Sequence, residues 1–293
     1  PNGVIINYYI KNLQEGDYIR IDIENKDGSV IRTFSNNKDK HSKIENNDVN
    51  KMVGNPILSN PNDIDNALSS DNLVSLSPRS GGNRLIWDMR YPGFKSFEGM
   101  VLYSSPNVGP KVTPGKYNIK MTYNDQIQQK EFEIVKDPRV KISQADYEDQ
   151  LEFLINVRDE VSRANQKIID IRNIKNNMIF ISEKTRDNIE LQEMINNYLT
   201  DISEIENNIH MTKNQSRQDP LNYGIRINNR IAFLLADSQR GDYPPTDQSK
   251  EFFIQVKGEL DSEIMKLDAL IDKHSQKIET VSYTHLTLPT SHN

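Results

Sequence analysis

The chain contains no cysteine. That excludes thiol nucleophiles, disulfide frameworks and zinc sites built on sulfur, although it leaves the compartment open. Nor does any run approach the roughly 18 consecutive apolar residues that a membrane-spanning helix needs, and the mean hydropathy is −0.72. A basic surplus is also missing. With a net charge of −6 and a pI near 5.5, the chain lacks the basic face that phosphate binding requires, which argues against a nucleic-acid partner. There is no glycine-rich phosphate loop, because Ser80-Gly81-Gly82 leads into a strand pattern and not a helix. Pro1 stands where an initiator methionine would, so the chain is expected to be cut from a longer one, and no signal peptide is legible.

What remains is 293 residues, enough for two domains with their own cores. Residues 1–138 read as β. Val4–Ile10 opens a strand, and Tyr18–Glu24 alternates Tyr18, Arg20 and Asp22 with Ile19, Ile21 and Ile23. Lys26-Asp27-Gly28 then turns into Val30–Phe34, a strong hairpin signal. A second hairpin is expected from Gly115–Tyr123 and Gln128–Val135 across Asn124-Asp125, and Arg84–Met89 is a strand carrying the sole tryptophan, Trp87. Short strands joined by hairpins without helices between them predict a β-sandwich with Trp87 in its core. Residues 36–80 are rich in Asn, Ser, Asp and Lys without apolar period. They are expected to form a long irregular excursion, with a short helix near Asp63–Leu68.

From about Ser143 the period changes. Ser143 with Asp146 is a helix-start pattern, and Tyr147, Leu151, Leu154, Val157, Val161, Ala164, Ile168, Ile171, Ile174, Met178 and Ile181 follow at steps of three and four. A second stripe runs from Leu191 to Ile209. A shorter one after Asp219-Pro220 carries Ile225, Ile231 and Leu235, and a fourth from Phe253 to Ile278 follows a Thr246 cap. One stripe per helix predicts an antiparallel helical bundle of three long helices and one short over residues 139–280. Val281–Asn293 continues no stripe and reads as a non-native read-through tail. The expected class is therefore α+β with two domains. The abundance of Asn, Lys and Ile reads as the mark of an AT-rich genome.

Chemistry is thinly supported. His285 and His292 fall in the tail, His41 in the excursion, and His210 and His274 near helix ends, where a histidine commonly complements the helix dipole. Acid clusters such as Glu148-Asp149 and Glu204/Glu206 lie on helices as solvated charge. Asn25 and Asp27 suit a hairpin turn better than a calcium site. Arg240-Gly241-Asp242 matches an integrin-recognition tripeptide but reads as a turn before Pro244-Pro245. No catalytic, cofactor or metal residue is assigned.

Asn83 to Pro92, Asn-Arg-Leu-Ile-Trp-Asp-Met-Arg-Tyr-Pro, resembles a signature near the C-terminus of large bacterial BNR-repeat, sortilin-like β-propeller proteins commonly labelled glycosyl hydrolases. The resemblance continues through Pro114-Gly115-Lys116-Tyr117, Lys136-Asp137-Pro138-Arg139, Asp219–Ile225 and Tyr243-Pro244-Pro245-Thr246, and includes Pro1–Tyr9. It implies an Ig-like sandwich followed by a helical region, placed after a propeller on an exported protein, extracellular or periplasmic. No Asp-box repeat occurs here, so no propeller-face residue has a position to be carried onto. The matched residues read as structural: Trp87 fills the core, Arg90 pairs with Asp88 or a carbonyl, Tyr91 and Pro92 extend the signature, Pro114-Gly115 turns into the strand of Tyr117, and Asp137-Pro138-Arg139 joins the domains. The expected role is a non-catalytic accessory module whose partner is the propeller of its own parent chain. The alternatives are a carbohydrate-binding sandwich using Trp87, Tyr91, Tyr103 or Tyr117, with a glycan as partner, and a part of a hydrolase whose catalytic propeller lies elsewhere.

Overall fold

The computed structural model describes residues 3–36 and 73–287, with backbone alone for 73 and 275–287. Among the described residues seven strands precede five helices, an α+β arrangement of open sheets. β1 (Val4–Ile10) and β5 (Gly81–Trp87) form an antiparallel pair with Val4 opposite Trp87 and Tyr9 opposite Gly82. The other sheet has the order β4-β3-β2-β6-β7, from β2 (Ile19–Glu24), β3 (Val30–Ser35), β4 (Leu73–Ser75), β6 (Gly115–Tyr123) and β7 (Gln126–Ile134).

Both expected hairpins form. Between β2 and β3, Gly28 takes φ 83°, a left-handed value that costs glycine nothing, and the Asp27 carboxylate accepts from the Ser29 backbone N–H at 2.9 Å. Between β6 and β7, Asn124 itself turns at φ 47°. Its backbone N–H donates to the Tyr18 carbonyl and its Oδ1 accepts from the Tyr18 N–H, both at 2.8 Å. Ile19, Ile21 and Ile23 are fully buried. The opposite face of β2 departs from the expected solvated alternation, because Asp22 and Glu24 are buried too. β2 is the central strand, and its charges survive burial through partners: Arg20 at 2.8 Å and Thr33 Oγ1 at 2.6 Å for Asp22, and Lys120 at 3.7 Å for Glu24.

Side chains from both sheets, among them Ile6, Ile21, Ile23, Phe34, Trp87 and Tyr117, make up one apolar cluster. The irregular excursion is corrected at its end, where β4 pairs parallel with β3, Thr33 opposite Leu73. The expected helix near Asp63–Leu68 lies outside the described residues.

The helices are α1 (Gln144–Lys184), α2 (Ile189–Ile209), a single turn α3 (Pro220–Tyr223), α4 (Ile227–Ser238) and α5 (Asp247–Thr287). α1 starts where Ser143 and Asp146 cap one another: the Ser143 N–H donates to the carboxylate at 2.8 Å, and the Asp146 N–H donates back to Ser143 Oγ at 3.1 Å. The N-cap of α2 is Asn188, whose Oδ1 accepts from the Leu191 N–H at 3.0 Å. The stripes are buried through Val157, Val161, Ala164, Ile168 and Ile171, through Leu191, Ile195, Ile202 and Ile209, and through Val256, Leu260 and Leu267. Ile174, Met178 and Ile181 are only half-buried.

Three expectations need correction. The short helix expected after Asp219-Pro220 is two elements, because Gly224 at φ 76° ends α3 before α4 begins. α5 continues as helix to Thr287, into the segment read as a tail. The chain also does not divide at 138/139. One compact unit holds 1–96, 106–162 and 235–247, and the other 97–105, 163–234 and 248–293. The first half of α1 thus belongs with the sheets, since Ser162 Oγ accepts from the Lys95 N–H at 3.0 Å and Gln150 Nε2 donates to the carbonyls of Ser238 and Gly241 at 3.0 and 2.7 Å.

Candidate functional site

The signature segment begins within β5 and runs past its end at Trp87. Trp87 is 1% exposed, with Tyr117 and Phe132 edge-on at 6.3 and 6.2 Å, and its Nε1 donates to the Arg90 carbonyl at 3.1 Å. Met89 turns the chain at φ 61° and its carbonyl accepts from the Val112 N–H at 2.9 Å. Arg90 Nη1 donates to the Gly109 carbonyl at 2.7 Å and to Gln239 Oε1 at 2.9 Å. The Tyr91 hydroxyl accepts from Asn25 Nδ2 at 3.2 Å. Tyr91 and Pro92 cross Gly109 so closely that a Cβ there would lie 1.9 Å from the Tyr91 oxygen and 2.5 Å from that of Pro92, which leaves room for glycine alone. Gly115 at φ 155° opens β6, the Pro114 carbonyl accepts from Gln144 Nε2 at 3.1 Å, and the Tyr117 hydroxyl donates to the Thr113 carbonyl at 2.5 Å. Asp137 and Arg139 form an exposed ion pair at 2.5 Å around the Pro138 turn, and the Arg139 hydrogen bonds hold the Asp137 carboxyl down to about 2.

Charge is concentrated beside this segment. Burial pushes the Asp88 carboxyl up, against the opposing pull of Arg32 and Arg90. Burial pushes Arg32 down to about 10, against the pull of Asp88. Arg32 is 4% exposed and its Nη1 has no hydrogen-bond partner among the described residues. Of the two partners expected for Arg90, the hydrogen bond goes to a carbonyl, while Asp88 acts on it electrostatically.

The second unit holds a buried polar cluster. His210 caps α2, its N–H donating to the Glu206 carbonyl at 2.8 Å, and the residue is 2% exposed. Its Nδ1 lies 3.2 Å from Asn228 Nδ2, and Phe97 stands edge-on at 4.9 Å with the Arg172 guanidinium 4.7 Å over that ring. Burial, then Arg172, lower His210 to about 4, so the ring is neutral and does not complement the helix dipole as a cation. Burial pushes Glu206 up, but hydrogen bonds from Arg172 and Lys175, both 2.9 Å, outweigh it and the carboxyl sits low. An expected solvated acid is therefore a buried ion-pair partner.

The rings proposed for sugar stacking do not share one open surface. Trp87 and Tyr117 are buried, Tyr91 is half-buried, and only Tyr103 is exposed, its backbone clasped by Asn229 at 2.7 and 3.0 Å. Asp27 serves its turn, accepting from Ser29 Oγ at 2.6 Å. Among the described residues no group of three or more His, Asp or Glu could hold a metal ion, and no helix is long and apolar enough to cross a membrane.

One open groove of about 500 Å³ lies over β1 and β5, lined by Asn7, Tyr8, Tyr9, Arg79, Gly82, Asn83 and Arg84. Asn83 and Arg84 stood in the signature and Asn7, Tyr8 and Tyr9 in the Pro1–Tyr9 stretch of the resemblance, and none of them was assigned a role. The signal was present in the alternation of β1, which sends Ile5, Asn7 and Tyr9 to the face opposite Ile6 and Ile10. No protein-family model, curated protein or solved structure matches the chain.

Proposed function

We propose that the chain is a non-catalytic accessory module of an exported β-propeller protein, which it packs against or presents outside the cell. In this reading the sheets form an Ig-like sandwich and the helices an antiparallel bundle. One observation carries the non-catalytic reading: the polar groups of Trp87, Arg90, Tyr91 and Tyr117 are spent inside the molecule. Trp87 Nε1, Arg90 Nη1 and the Tyr117 hydroxyl donate to backbone carbonyls, and the Tyr91 hydroxyl accepts from Asn25. A nucleophile or general acid must keep its reacting atom within reach of a substrate, and groups committed in this way do not. An apolar cluster drawn from both sheets supports the sandwich. Pairs between α1 and α5 (Arg163–Asp261), α2 and α5 (Asn208–Glu263) and α4 and α5 (Arg230–Glu259) support the bundle.

The test compares the parent protein with and without this segment and titrates the isolated chain against its propeller by calorimetry. Docking, together with a lower propeller melting temperature on deletion, is expected. Absence of both would refute the accessory role. Turnover of any glycan by the chain, abolished by one carboxylate substitution, would refute the non-catalytic one.

A further inference from the structure

We infer that the outer face of β1 and β5 is a binding site for a carboxylate-bearing polysaccharide, a polyuronate. Three cross-strand pairs build this face: Ile5 with Ile86, Asn7 with Arg84, and Tyr9 with Gly82. Tyr9 is 72% exposed, and a Cβ on Gly82 would meet nothing within 4 Å, so the ring stands beside an open floor. A sugar presents an apolar C–H face suited to such a ring.

The two arginines supply the charge selectivity. Arg84 Nε donates to Asn7 Oδ1 at 3.1 Å, and Arg79 Nε donates to the Gly82 carbonyl at 3.4 Å. Each guanidinium is thus tethered through Nε, while its two Nη groups make no hydrogen bond among the described residues. A pair of parallel N–H donors is the geometry that grips a carboxylate. Asn83 fixes the turn that carries Arg79: its Oδ1 accepts from the Arg79 N–H at 2.9 Å, and its Nδ2 donates to the Arg79 and Gly81 carbonyls at 2.7 and 3.0 Å. Among the described residues no carboxylate lines the groove, in a chain whose net charge is −6. Two cations, a free amide donor on Asn7 and an exposed ring on an open, flat surface suit an acidic sugar chain lying along the strands. A compact ligand would need walls that this face lacks. The site uses none of the rings first considered for carbohydrate, and it stands whether or not the chain docks to a propeller.

Affinity electrophoresis of the full chain through gels containing polygalacturonate, dextran or polyglutamate tests the assignment. Retardation in polygalacturonate alone is expected, weakening as salt rises. Arg84→Gln and Tyr9→Ala should each reduce it by roughly tenfold or more, the loss of one charged or stacking partner, with unchanged melting because both side chains face outward. No retardation in polygalacturonate at low salt overturns the proposal. Equal retardation in dextran removes the carboxylate from it, and equal retardation in polyglutamate removes the sugar. Wild-type retardation of both variants places binding elsewhere.

Discussion

His210 should make the protein lose stability between pH 6.5 and pH 4. The ring is 2% exposed, and its folded pKa is about 4 against the ordinary 6.5. In that interval the unfolded chain binds a proton that the folded chain refuses, so stability falls as pH falls. The contribution is intact above the unfolded value. It amounts to about 3 kcal/mol in full, and about 2 kcal/mol of it is gone by pH 5. Arg172 adds to the depression, while Asn228 and Glu206 oppose it and lose to burial. Asn228 Nδ2 donates both to Nδ1 and to Asn165 Oδ1, at 3.2 and 3.1 Å. A protonated Nδ1 would require the Asn228 amide to turn and give up Asn165.

Urea unfolding of wild type and His210→Gln at pH 7.0, 6.0 and 5.0, followed by helix circular dichroism, measures the effect. The variant's stability at pH 7 is irrelevant, because the quantity read is the change with pH. Wild type should lose about 2 kcal/mol more than the variant between pH 7 and pH 5. Glu206 does not confuse the result, since a carboxylate held low loses its contribution only as pH falls below its unfolded value near 4.5. Parallel pH profiles for the two proteins would show that His210 is accessible to protons in the fold.

Trp87→Ala should cost about 3–5 kcal/mol in urea unfolding, the range for truncating a buried aromatic, and a loss under 1 kcal/mol would mean that the ring is not part of the core. Leu260→Asp sets a charge at a fully buried position of α5 and should cost about 4 kcal/mol or more; a wild-type melting curve would place the stripe in water. Asn229→Asp keeps the acceptor for the Tyr103 N–H but removes the donor to the Tyr103 carbonyl and Ser105 Oγ, and should cost about 1–3 kcal/mol, whereas an unchanged midpoint would show that the clasp is idle.

Much of the fold was legible because its signals are local. Asp27-Gly28 and Asn124-Asp125 mark their own turns, Ser143 and Asp146 mark the start of α1, and a stripe at steps of three and four needs no partner to be recognised. What was not legible depends on distant groups. Nothing near Ser162 marks where α1 passes from one compact unit to the other, because the helix is unbroken and the difference lies in what packs around it. β4 was hidden because a three-residue edge strand carries almost no periodicity. Hydropathy assigns Asp22, Arg32 and Glu206 to the surface, yet all three are buried, Asp22 beside Arg20 of its own strand and Glu206 beside Arg172 brought in from α1.

The amide side chains show the same distinction most clearly. Their abundance was read as a mark of base composition, and composition alone offers nothing more. In the fold they repeatedly bind backbone that no helix or strand satisfies. Asn36 accepts from the Ile19 N–H and donates to the Asp17 carbonyl, at 2.9 and 2.8 Å. Asn107 accepts from the Phe94 N–H and donates to its carbonyl, at 2.8 and 2.7 Å. Gln239 donates to the Val108 carbonyl at 3.2 Å. An amide carries one acceptor and two donors, so it can replace a missing peptide partner on both sides at once, which neither a hydroxyl nor a carboxylate at neutral pH does with the same fixed geometry. Segments 94–110 and 239–243, which have little regular pairing of their own, are held in this way, by Asn107 from within and by Asn229, Gln239 and Gln150 from elsewhere in the chain. The loops of this protein are therefore specified by scattered Asn and Gln, each meaningful only once the fold has brought its loop alongside.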